Sequence, residues 1–158
     1  MNRREKLELL FAVLAKELQV FARTKVVLET SFRKCAAISL VGELSEQELE
    51  SFEALTSRFA RLVDIASQKL FKTVFLILRE TRGTIIDQAM LAERLKIIPS
   101  AETFLELREL RNLIAHEYVE ESLMKLFQGI LDQEVAVVAL YTSIDAYCRN
   151  LQDNPPAL

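Results

Sequence analysis

The stretch Ser45–Arg79, SEQELESFEALTSRFARLVDIASQKLFKTVFLILR, decides the fold. Ser45 and Glu48 stand at the spacing of a capping box, in which each side chain satisfies the other residue's backbone N–H, so a helix starts there. From that start Phe52, Leu55, Phe59, Leu62 and Ala66 recur at steps of three and four, and the stripe continues through Leu70, Val74 and Phe75. No glycine or proline interrupts it. A helix reaching about Arg79 is roughly 50 Å long at 1.5 Å per residue. An apolar stripe of that length is buried only against partners of similar length, which calls for a bundle.

The flanking segments supply the partners. Upstream, a helix is predicted from about Arg3 to near Cys35, because Leu7, Phe11, Leu14, Leu18, Phe21, Leu28 and Phe32 keep one stripe. A turn at Val41–Leu44, with Gly42 as breaker, joins the two. Downstream, Gly83 marks a break, and Thr84–Ile97 reads as a shorter helix stopped by Pro99. A fourth helix begins after Ser100 and carries Phe104, Leu107, Leu110 and Ile114. A turn at Val119–Glu121 leads to a last helix, Ser122–Leu151, with Phe127, Ile130, Val137, Tyr141, Ile144, Cys148 and Leu151 inward and Gly129 as its expected bend. The expected fold is all-α, an up-down antiparallel four-helix bundle with one additional short helix. Residues 1–151 form one domain and 152–158, with Pro155 and Pro156, a flexible tail.

Composition agrees with long helices and narrows the chemistry. The 158 residues suffice for one core, and 51% hydrophobic content favours a globular chain over a disordered one. Three glycines and three prolines are what long helices require. A net charge of -3 argues against a general nucleic-acid coat, so any RNA contact must come from a local patch. One histidine and two scattered cysteines, Cys35 and Cys148, cannot supply the usual zinc ligands. Glycine-rich phosphate loops and the glycine-serine with paired aspartates of nucleotidyltransferases are missing, and no cofactor is expected. The longest apolar run, around Val135–Ile144, is too short to span a bilayer, and no signal segment is recognised, so a cytoplasmic location is expected.

The chemistry concentrates in Leu110–Tyr118, LRNLIAHEY, which holds the sole histidine, His116. Arg108 and Arg111 are neighbours on one helical face, and neither has a carboxylate three or four residues away. Such arginines suggest an anion partner. Asn112 lies four residues before His116, so its amide can orient the imidazole, the one side chain whose ordinary pKa near ~6.5 suits proton transfer at neutral pH. Arg111 and His116 are five apart, roughly 140° around a regular helix. Either the helix ends between them or a second chain completes the site. Taken singly, arginines on a helix are usually a solvated face and a lone histidine a surface residue, so the weight rests on the combination.

RNLIAHEY resembles the signature of the HEPN superfamily, an arginine followed after four to six residues by histidine. It is more narrowly similar to the HepT type, Arg-Asn, three residues, His, one residue, Tyr. Arg111, Asn112, His116 and Tyr118 match those four positions, and Arg108 fits an upstream arginine common in the family. The resemblance implies a ribonuclease toxin of a toxin–antitoxin pair, cutting RNA without metal, with Arg111 and His116 catalytic and Arg108 and Asn112 supporting them. It also implies a cognate minimal nucleotidyltransferase as antitoxin, attaching AMP to Tyr118. Glu117 departs from the pattern by placing a negative charge beside the anion site.

Acid–base cleavage of RNA needs one group to take the 2′-hydroxyl proton and another to protonate the leaving oxygen. Each chain owns one histidine, so a homodimer or higher oligomer is expected, which the broad apolar surface of the first two helices also favours. Two other classes stay open: a non-catalytic regulatory or nucleotide-binding subunit of a nucleotidyltransferase, and a plain oligomerising bundle.

Overall fold

Three capping boxes fix where helices begin: Asn2 with Glu5, Ser45 with Glu48, and Thr84 with Asp87. In the computed structural model, which describes residues 1–116 and 120–157 and only the backbone at 120 and 121, these open α1 (Arg3–Ala36), α2 (Glu46–Asp64) and α4 (Ile85–Arg94). Helix α2 runs without a break through a π-helical segment (Ile65–Leu70) into α3 (Phe71–Leu78), making one rod. Arg79 ends it in the left-handed conformation at φ 61°, where the Glu80 N–H donates back to the Phe75 carbonyl at 2.9 Å. Then follow α5 (Ala101–Ile114), opened by Ser100 accepting from the Thr103 N–H, α6 (Glu120–Leu131) and α7 (Glu134–Asp153). Among the described residues the chain is all-helical, without strands.

The stripes read from the sequence form the core. Phe52, Leu55, Phe59, Leu62, Ala66, Leu70, Val74 and Phe75 are all buried, as are Leu14, Leu18, Phe21, Leu28 and Phe32 of α1. Helix α1 lies antiparallel to the rod. The Cys35 thiol donates to the Ser51 carbonyl, Arg58 donates to Ser31 Oγ and the Val27 carbonyl, and Glu17 pairs with the Thr73 hydroxyl. Phe52 stacks on Phe127 of α6 with centroids 4.7 Å apart, which ties α6 to the start of the rod. Truncating either ring to alanine would cost about 3–5 kcal/mol.

Helix α5 also runs antiparallel to the rod, and its register is readable residue by residue. Phe104 packs on Phe71 at 5.1 Å, Arg108 reaches Ser67, and Arg111 reaches Asp64. Each step up α5 matches an equal step down the rod. This pairing carries both arginines of the motif to the π segment.

Several expected boundaries are corrected. The last helix is two: α6 stops at Leu131 and α7 starts at Glu134, so the break falls at 132–133, while Gly129, the expected bend, sits inside α6. The short helix ends at Arg94 and does not reach Ile97, because Lys96 turns left-handed at φ 62° and drives Ile97 and Ile98 into the core. Helix α7 continues to Asp153, and beyond it the Ala157 carbonyl accepts from Arg3 at 2.8 Å. Of the turn expected at Val119–Glu121, Val119 lies outside the described residues and Glu120 already opens α6. Among the described residues, no helix is long and apolar enough to cross a membrane.

Candidate functional site

The site is built where the end of α5 meets the π segment. Arg111 lies in the last turn of α5 and donates through Nε and Nη2 to the two carboxylate oxygens of Asp64, at 2.7 and 2.9 Å. Both side chains are about one-third exposed, so this is a bidentate pair at the rim of the core. Its hydrogen bonds push the Arg111 pKa further up, and the guanidinium is permanently charged. Occupying Nε and Nη2 leaves Nη1 for another acceptor. No carboxylate stands at helical spacing, as the sequence reading found, but Arg111 is not unpaired: its partner comes from another helix.

One turn earlier, Arg108 donates from Nη1 to Ser67 Oγ at 3.2 Å. Ser67 is buried and itself donates to the Val63 carbonyl within the rod. The Nε of Arg108 is buried and has no hydrogen-bond partner among the described residues. An unsatisfied buried donor costs about 1–3 kcal/mol.

The π segment matters to this arrangement. In a regular helix, eight residues from Arg61 overshoot two full turns by roughly 80°. The wider winding between Ile65 and Leu70 turns through less per residue and brings Lys69 back toward the face of Arg61. Both then line one groove with Asp64, Gln68 and Arg111, a space of about 530 Å³ floored by Ile65 and Ile114.

His116 lies just past the end of α5, whose last residue is Ile114 with Ala115 as cap. The helix therefore ends between Arg111 and His116, one of the two ways in which the sequence reading allowed them to meet. The His116 N–H donates to the Leu113 carbonyl at 3.0 Å, and its side chain is exposed. Asn112 is exposed as well, and among the described residues no hydrogen bond joins its amide to the imidazole, so the expected orientation of His116 by Asn112 is not seen. Tyr118, the expected modification site, and Glu117 lie outside the described residues. No group of three His, Cys, Asp or Glu among the described residues is arranged to hold a metal ion.

Asp64, Ser67, Arg61 and Lys69 were not singled out from the sequence. One signal was present: Leu62, Ala66, Leu70 and Val74 are spaced by three consecutive steps of four, which in a regular helix drift roughly 120° around the axis, yet all four are fully buried. A π turn is what reconciles that spacing with a single buried face. Compared with protein-family models, with curated proteins and with solved structures, the chain finds no match.

Proposed function

We propose that this chain is a metal-independent endoribonuclease of the HEPN type, the HepT-like toxin of a toxin–antitoxin pair, built as an up-down four-helix bundle with one short helix. The observation that supports it is the Arg-Asn-x3-His pattern at the end of α5, where Asp64 fixes the guanidinium of Arg111 beside an open groove. A fixed cation with a free edge is what holds a scissile phosphate. His116, exposed one residue past the helix cap, is the proton-transfer group.

Two copies complete the reaction. His116 of one copy takes the proton from a ribose 2′-hydroxyl, the 2′-oxygen bonds to phosphorus, and the bond to the 5′-oxygen breaks as His116 of the other copy protonates it. The products are a 2′,3′-cyclic phosphate and a free 5′-hydroxyl, and one proton has moved between the two histidines. Arg111 holds the charge of the pentacoordinate phosphorane, and Arg108, half-buried behind it with Nε unpartnered, adds positive potential. A minimal nucleotidyltransferase that attaches AMP to Tyr118 silences the site.

The ion pair favours one second reading. Because Asp64 already neutralises Arg111, the same groove suits a nucleotide bound without turnover, as in a regulatory subunit of a nucleotidyltransferase. Incubation with end-labelled single-stranded RNA in excess chelator decides between them. The nuclease reading expects cleavage with 2′,3′-cyclic phosphate ends, and intact RNA beside saturable nucleotide binding supports the second.

A further inference from the structure

The motif helix supplies only one wall of the groove; the other is the exposed face of α2 and the π segment. Three cations line it, Arg61, Lys69 and Arg111, against one carboxylate, Asp64. Asp64 is bonded through both oxygens to Arg111, so its charge is taken. Arg61 is exposed and forms no ion pair among the described residues. Lys69 is exposed too and forms no salt bridge among the described residues, although it is close enough to Glu17 of α1 to lower that carboxyl's pKa. Arg61 and Lys69 thus stand without a salt bridge among the described residues, on the wall away from the reacting residues, in a chain whose net charge is -3.

The spacing of these charges suits an extended polyanion. Arg61 and Lys69 are eight residues apart, about 12 Å along the rod, and the π segment brings both to one face. Two cations at that separation meet two different phosphates of one strand rather than the same phosphate. The Gln68 amide between them adds a donor, and Ile65 and Ile114 offer an apolar floor for a sugar or base.

We infer that the face of α2 and the π segment bearing Arg61 and Lys69 is a backbone-binding subsite that holds single-stranded RNA leading away from the phosphate at Arg111. The inference deepens the nuclease reading and rests on it for the identity of the strand. An acidic protein segment is the competing occupant. It would not need the regular two-charge spacing, and it becomes an outcome of the test.

The test uses the full chain and a fluorescein-labelled single-stranded RNA made uncleavable by 2′-O-methyl sugars. Its binding is followed by anisotropy across a salt series. For single strands, log K falls with log salt with a slope of about 0.7 for each neutralised phosphate. The double variant Arg61→Gln/Lys69→Gln is expected to bind more weakly and to flatten that slope by about 1.4, two contacts' worth. The charge-matched control Arg4→Gln/Lys6→Gln, at the start of α1, is expected to keep the wild-type slope. Circular dichroism confirms that both variants are folded.

Wild-type slope and affinity in the Arg61/Lys69 variant would overturn the subsite, as would an equal loss in the control or no RNA binding by the wild-type chain. Cleavage of ordinary RNA is measured in parallel and separates the two claims. If the chain cuts RNA but the slope does not change, the subsite falls and the nuclease reading stands. If the slope flattens as expected but no RNA is cut, the subsite stands and the nuclease reading falls.

Discussion

Arg111 and Asp64, forty-seven residues apart in sequence, meet through two parallel hydrogen bonds of 2.7 and 2.9 Å. The pair locks the end of α5 onto the π segment and sets which edge of the guanidinium faces the groove. Its worth is bounded from both sides: a fully exposed pair contributes about 0–1 kcal/mol, and bidentate geometry moves this one toward the upper end. A double-mutant cycle of Asp64→Asn and Arg111→Gln, measured by urea denaturation, is expected to give a coupling of about 1 kcal/mol that shrinks at high salt. Additive effects would show that the two side chains do not act as a unit.

Glu17 gives the fold a pH dependence whose sign is fixed by its surroundings. Burial against α3 raises its pKa above the ordinary 4.5, and the Thr73 hydroxyl, Lys69 and Lys72 pull it partly back. A carboxyl with a raised folded-state pKa makes the folded chain hold the proton more tightly. That contribution is complete below about pH 4.5 and is lost as pH rises through the folded value. Glu17→Gln, which mimics the protonated form, is therefore expected to be more stable than wild type at pH 7, with the difference shrinking toward zero near pH 4. Urea midpoints at the two pH values check this, and a difference independent of pH would contradict it.

What could be read from the sequence divides along local and non-local lines. Capping boxes and apolar stripes depend on residues within one or two turns, so the start of α2 at Ser45 and Glu48 and the buried face from Phe52 to Phe75 could be read directly. The partner of Arg111 could not, because Asp64 reaches it only once α5 lies antiparallel to the rod. The π segment was half visible, in the run of fours from Leu62 to Val74. The break between α6 and α7 was not legible: the sequence reads as one last helix bent at Gly129, but a glycine inside a helix lowers stability without ending it, and the chain turns three residues later. Arg108, Arg111, Asn112 and His116 were found as a motif, yet of these only Arg111 lines the groove, whose other wall comes from α2 and the π segment.

The proposed reaction needs two histidines, so activity and association should be lost together. Specific activity is expected to fall on dilution in parallel with the loss of dimer seen by analytical ultracentrifugation. Full activity in a sample shown to be monomeric would exclude a shared site.

Neutralisation through Tyr118 makes a separate forecast. Co-expression with the cognate nucleotidyltransferase is expected to add AMP to Tyr118, placing a phosphodiester charge and a base where RNA must enter. Tyr118→Phe should then stay toxic in the presence of the transferase. Intact-mass and peptide spectra without an adduct, together with a neutralised Phe variant, would favour simple complex formation.

The central claim is that His116 moves protons for RNA cleavage without a metal. Its most direct measurement is the rate at which wild type and His116→Ala cut the same single-stranded RNA in excess chelator, with circular dichroism and oligomeric state matched. The account predicts cleavage by wild type and a loss of at least ~100-fold in the variant, the scale of one acid–base group. Equal rates for the two proteins would contradict it.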